Sequence, residues 1–185
     1  MAIGEWGMGK STFSQRLSKA TLQEVFHIEK EKYIESGIQY PIKKFLTSYY
    51  QKLKNGNCIF DGNSYSAEDK QNDYGFILER LNKSDAIVFF DGEPEQVKAD
   101  YFKRTQRVES GEEKRLGGSW NSVSDKSSAI NRYFERKESL RPRLGAFKNK
   151  TITLKTREEI NQLMDLIETM KYKTQSKPGG AREKT

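Results

Sequence analysis

The chain of 185 residues holds one cysteine, Cys58, and one histidine, His27. A single cysteine excludes an internal disulfide and suits a reducing compartment, so the expected location is the cytoplasm. Cys58 sits in an apolar run and reads as an inert core residue. A single histidine leaves a zinc site or a Ser–His triad without its usual parts. No stretch reaches the roughly eighteen apolar residues that span a membrane, and no signal peptide is visible at the start. No internal repeat is present. Hydrophobic residues make up 34% and charged residues 32%, so the core must be lean and the surface wet. The length suits one domain with a real core. The net charge of +7 points to an anionic partner, with a basic tail over 173–185 supplying part of the excess.

What the chain does have is Gly4-Glu5-Trp6-Gly7-Met8-Gly9-Lys10-Ser11-Thr12. This fits G-x-x-x-x-G-K-[ST], the phosphate-binding loop. Its glycines permit backbone conformations that a Cβ forbids, so the loop can wrap an anion and aim N–H groups at it. A helix is expected to start here and add its dipole. Phe13, Leu17 and Ala20 carry the helical apolar spacing, with Gln15, Arg16 and Lys19 outward. Lys10 can reach the β- and γ-phosphates of ATP, and the Ser11 hydroxyl can ligate Mg²⁺. Only Met1, Ala2 and Ile3 precede the loop, fewer than the five or so residues of a usual central strand.

Further along, strands are expected at 24–28, 58–60, 85–90 and 151–154. Helices are expected at 10–20, 43–54, 67–81, 93–108 and 125–140, and from 157 onward. Phe45, Leu46, Tyr49, Tyr50 and Leu53 form the apolar side of the second of these, and Gly56 stops it. The run from Asp85 to Phe90 is continuously apolar after its first residue, as a strand covered on both faces should be. Pro94 suits a first helical turn. Residues 109–124 are polar with three glycines and read as a lid, and Arg141-Pro142-Arg143 reads as a break. Thr156 and Glu159 have capping-box spacing, ahead of Ile160, Leu163, Met164, Ile167 and Met170. The alternation implies a three-layer α/β/α sandwich with a mostly parallel five-stranded sheet, and the phosphate-binding loop at its start makes that the P-loop NTPase type. Residues 1–172 form the domain, and 173–185 read as a disordered tail. In such sheets ligands bind at the carboxyl ends of the strands, which puts the loop, Asp61 and Asp91 on one rim.

This arrangement resembles the nucleoside monophosphate kinases, thymidylate kinase in particular, over most of the chain. The phosphate loop matches that family's pattern. Asp61-Gly62-Asn63-Ser64-Tyr65-Ser66 falls where the family has Asp-Arg-Tyr and a following Ser. The segment from Asp85 to Glu95 resembles its strand and Pro-Pro-Glu stretch. Lys103, Arg104 and Arg107 lie where it carries lid arginines. The sequence departs from the family at Gly62, which replaces an arginine. His27-Ile28-Glu29-Lys30-Glu31 stands where Arg-Glu-Pro is usual, and the segment before the third strand is short. Related deoxynucleoside kinases use a glutamate after the second strand as base, a role open to Glu29 or Glu31.

The resemblance implies ATP as phosphoryl donor with Mg²⁺. Gly4, Glu5, Trp6, Gly7, Met8, Gly9, Lys10, Ser11 and Thr12 would hold the donor. Ser11 and Asp61 would serve the metal, and Lys10, Asp61, Arg104 and Arg107 the transfer. Arg115 is a further lid cation, and Arg132 and Arg136 share a helix face near Tyr133 and Phe134. Tyr40, Tyr65, Tyr74 and Trp120 are stacking candidates. The expected acceptor is a nucleoside or nucleoside monophosphate; a nucleic acid is disfavoured and a homodimer stays open. The competing readings are a deoxynucleoside kinase, a polynucleotide 5′-kinase favoured by the charge, and a non-kinase P-loop ATPase. The last needs adjacent acids at a strand end, and none occurs.

Overall fold

The computed structural model describes residues 1–4, 7–32, 42–62, 75–112, 138 and 140–175. The elements are β1 (Ala2–Gly4), α1 (Lys10–Thr21), β2 (Glu24–His27), α2 (Ile28–Lys32), α3 (Ile42–Asn55) and β3 (Cys58–Asp61). Then come α4 (Gly75–Lys83), β4 (Ile87–Phe90), α5 (Pro94–Glu109), a 3₁₀ turn (Lys148–Lys150), β5 (Thr151–Leu154) and α6 (Arg157–Gln175). A further helical segment covers 140–145. The five strands form one sheet in the order β2-β3-β1-β4-β5. Every pairing is parallel, so the sheet is fully rather than mostly parallel.

The register decides what each face buries. Ala2 stands beside Asp61 and Val88, and Asp61 beside His27. Neighbours in a parallel register share a face, so these residues point to one side and Ile3, Phe60 and Phe89 to the other. On the first side, Ala2, Val88, Phe90 and Leu154 pack with Phe13 of α1, Val97 of α5, and Ile160 and Met164 of α6. Phe13 meets Phe90 edge-on, with ring centres 5.5 Å apart. On the second side, Ile3, Ile87 and Phe89 meet Leu81 of α4 and Leu140 and Leu144 of the 140–145 segment. Phe26 and Phe60 meet Phe45, Tyr49 and Leu53 of α3. The result is the three-layer sandwich that the alternation implies.

Local chemistry sets the helix ends. The Glu159 N–H donates to Thr156 Oγ1 at 3.1 Å, and the Thr156 N–H donates to Glu159 Oε2 at 3.2 Å. This reciprocal pair is the capping box, and the backbone donors of Lys155 and Thr156 hold the Glu159 carboxyl below its ordinary pKa. Arg16 ties α1 to α6 through Asp165 and Glu168, at 3.1 and 3.2 Å.

Several boundaries differ from expectation. β4 begins at Ile87, not Asp85, because the exposed Asp85 and Ala86 lie before the buried ladder. Arg141-Pro142-Arg143 is not a break: Leu140 and Leu144, one helical turn apart, are both buried, and their packing outweighs the bond that proline forfeits. The last helix runs to Gln175, beyond the expected tail boundary at 173. Residues 67–74 of one expected helix, most of 125–140, the lid beyond 112 and the tail beyond 175 lie outside the described residues. Tyr50 and Met170 are exposed, although their spacing put them on apolar faces, and Cys58 is half-buried rather than fully in the core. Among the described residues no helix is long and apolar enough to cross a membrane.

Candidate functional site

β1 lies between β3 and β4, so the glycine-rich loop leaves the sheet at its centre, where β3 and β4 also end. Gly4 has φ +123°, and a Cβ there would stand 2.2 Å from the Phe90 carbonyl oxygen. Only glycine lets the chain turn off β1 so close to β4. Gly9, at φ +83°, is the N-cap of α1, and a Cβ there would meet nothing within 4 Å. The first turn of α1 has no side-chain cap and no acidic residue. Its leading N–H groups and the helix dipole therefore favour an anion at the open rim. Ser11 and Thr12 are exposed there, whereas the Met8 side chain is buried in the core and leaves only its backbone to the loop. Glu5 and Trp6 lie outside the described residues.

Asp61 ends β3 on the side covered by α1 and is 4% exposed. Its Oδ2 is 2.7 Å from His27 Nδ1, at the end of the neighbouring strand β2. Burial pushes the Asp61 pKa up, but the bond to His27, the Ser11 hydroxyl and the Lys10 charge together bring it below its usual value. An ionised carboxylate only accepts, so Nδ1 carries the hydrogen of this bond. Oδ1 of Asp61 is buried and has no hydrogen-bond partner. A buried anionic oxygen without a donor is costly unless a cation or water completes it.

Ser11 and Asp61 could supply the one or two oxygen ligands that Mg²⁺ takes from a protein. The orphaned Oδ1 is the observation that fits the ion. Among the described residues no three or more acidic, His or Cys side chains cluster as a metal site.

Asp91, the other strand-end acid, is bound by Arg141 at 2.8 Å, which joins β4 to the 140–145 segment. It faces a cleft of about 290 Å³ on the opposite side of the sheet from α1, lined also by Phe89, Leu144, Lys148 and Thr153. Asp91 and Asp61 are therefore not brought together. Arg104 and Arg107 lie on α5. They follow Asp100 by four and seven residues, so they share its flank. Asp100 is the α5 residue against the loop: a Cβ on Gly7 would come within 2.7 Å of its Cβ. It is held by Arg157 at 2.9 Å and Gln96 at 3.1 Å. Glu31 lies in α2, exposed, just past β2, as does Glu29 along the backbone. Tyr40, Tyr65, Tyr74, Arg115, Trp120, Arg132, Tyr133, Phe134 and Arg136 lie outside the described residues.

Sequence reasoning missed His27 and Asp100. His27 was legible in one respect: Glu24-Val25-Phe26-His27 and Cys58-Ile59-Phe60-Asp61 are equal runs ending in polar residues, and in-register parallel pairing aligns those ends. Asp100 carries no such signal, because its place depends on how α5 crosses the loop.

Fold and site together define an α/β/α sandwich with a glycine-rich loop at the rim of a parallel sheet. No protein-family model and no curated protein matches the sequence. Among solved structures the chain is similar to deoxyadenosine kinase from M.mycoides with bound dATP, with a TM-score of 0.43 and 18% identity over 90% of this chain and 97% of that one.

Proposed function

We propose that this protein is an ATP-dependent phosphotransferase whose acceptor is a nucleoside or a nucleoside monophosphate. The observation that carries the reading is the junction of an uncapped, glycine-led α1 with a buried strand-end carboxylate, Asp61, on one rim. In this reading the loop and Lys10 hold the β- and γ-phosphates of ATP. An acceptor oxygen attacks the γ-phosphorus, the bond to the β-phosphate oxygen breaks and ADP leaves, a nucleoside hydroxyl passing its proton to Glu29 or Glu31. Mg²⁺, when bound, would neutralise charge on the phosphates, with Ser11 and Asp61 as the groups that would hold it. Lys10 neutralises charge that develops on the leaving oxygen. Arg104 and Arg107 follow Asp100 along α5 and are the proposed cations for the transferred group. Thymidine monophosphate is the first acceptor to try, on the resemblance to thymidylate kinase. Gly62 in place of arginine, with Glu29 and Glu31 past β2, makes a deoxynucleoside the second.

The test is turnover and affinity for thymidine monophosphate, deoxyguanosine monophosphate, thymidine and a 5′-hydroxyl oligonucleotide across salt concentrations. Polymer binding would fall with salt at a log–log slope of about −0.7 per contacted phosphate, whereas a monomer shows a shallow dependence. Turnover of a monomer is expected. Phosphorylation of the oligonucleotide with no monomer turned over would favour the polynucleotide kinase. ATP hydrolysis with no acceptor used would favour a P-loop ATPase.

A further inference from the structure

We infer that His27 is a positioning residue for the metal–nucleotide complex: it grips Asp61 Oδ2 so that Oδ1 is left for the incoming cation. The inference rests on the phosphotransferase reading above.

Three observations converge. His27 Nδ1 meets Oδ2 at 2.7 Å, whereas Oδ1 of the same carboxylate is buried and unpartnered. Parallel pairing puts the two residues side by side at the ends of β2 and β3, on the face that α1 covers. Ser11, the hydroxyl of the phosphate-loop motif, sits in the first turn of α1, the helix that packs on β3.

A carboxylate has two equivalent oxygens and a soft terminal torsion. Left alone in this site, Asp61 could turn either oxygen toward the loop or swing its whole head away. A donor fixed on one oxygen removes that freedom and commits the other. His27 is well placed to be such a donor, because its backbone is locked in the ladder at Asp61's own register. Its side chain is 18% exposed, so it is not simply core filling, and no hydrophobic cluster among the described residues includes it. A hydrogen bond that fixes one oxygen of a ligating carboxylate is the outer-shell arrangement that tunes metal sites, and its loss typically costs 10–100-fold in metal affinity or activity.

The chemistry of the contact gives the test its specificity. The hydrogen bond uses Nδ1, the nitrogen nearer the backbone. Asparagine can put an N–H at nearly that position, whereas glutamine places its amide about one bond further out, nearer Nε2. Wild type, His27→Ala, His27→Asn and His27→Gln are titrated calorimetrically with ATP in excess Mg²⁺ and with ATP in EDTA, after thermal unfolding confirms that each is folded. Mg²⁺ is expected to tighten ATP binding to wild type. His27→Ala and His27→Gln should lose about 10–100-fold of that tightening while binding ATP in EDTA like wild type, and His27→Asn should keep most of it.

The inference is overturned if His27→Ala keeps the full Mg²⁺-dependent gain. It is equally overturned if all three variants lose ATP affinity by the same factor with and without Mg²⁺, since that marks a residue that only supports the fold. Failure of wild type to bind ATP at all would instead sink the phosphotransferase reading beneath it.

Discussion

Gly4 approaches Phe90 so closely that a Cβ on Gly4 would lie 2.2 Å from the Phe90 carbonyl oxygen and 2.7 Å from its nitrogen. Gly4 also pairs with Phe90 in the ladder, so the first residue of the phosphate loop is still in the sheet. The loop therefore takes its starting position from the β1–β4 ladder. Gly4→Ala must push β1 and β4 away from each other as well as strain a φ of +123°. Together these should cost about 2–6 kcal/mol. Chemical denaturation checks this; a variant as stable as wild type would mean that the strands separate freely at this point.

Lys10→Ala should behave oppositely, sparing the fold and removing the activity. Lys10 opens α1 and is half-buried at the rim, where the charge it is proposed to answer arrives with the nucleotide. Removing one preorganised charge partner commonly costs about 100–1,000-fold in turnover. Unfolding curves should shift only by the small share that Lys10 contributes to holding Asp61 ionised, while phosphoryl transfer falls by at least that factor. Normal transfer by the variant would refute the phosphate-loop assignment.

Much of this was legible in the sequence because it is local. The loop spacing, the Gly56 stop, the capping box of Thr156 with Glu159, and the all-apolar β4 each depend on neighbours a few residues away. The strand-end position of Asp61 was legible for the same reason. What was hidden depends on elements far apart in the chain. His27 reads as an isolated histidine until β2 pairs with β3, and Asp100 as an ordinary surface acid until α5 crosses the loop. The 140–145 helix shows the same limit: Pro142 argued locally for a break, and burial of Leu140 and Leu144 against the sheet decided otherwise.

Asp61 gives the acid limb of stability a definite sign. Burial raises its pKa, but the His27 bond, the Ser11 hydroxyl and the Lys10 charge outweigh that, so the folded value lies below the ordinary 3.8. The group thus holds its proton more weakly folded than unfolded. Its ionised form contributes stability that is fully present above the unfolded value and is lost as pH falls through the folded one. Asp61→Asn deletes the contribution. The stability gap between wild type and variant should hold from about pH 5 to the ordinary value and narrow below it, as read by urea denaturation. A gap that widens with acid would mean that Asp61 is destabilising in its charged form.

Gly7 offers a test of how α5 constrains the loop. Its φ of +76° would cost an L-residue about 1–2 kcal/mol whatever surrounds it. A second cost is steric, because the new Cβ would meet the Cβ of Asp100 at 2.7 Å. That atom belongs to every residue except glycine. Asp100→Ala therefore cannot relieve the clash, although it does abolish the bonds to Arg157 and Gln96. Asp100→Gly can. Measured as ATP affinity, Gly7→Ala should bind weakly, and adding Asp100→Ala should recover nothing. Adding Asp100→Gly should recover the steric share and leave the φ share. The corresponding double-mutant cycles should show coupling for the glycine pair and almost none for the alanine pair. Equal recovery by both would mean that the carboxylate head, not the α5 backbone that carries it, sets the shape of the loop.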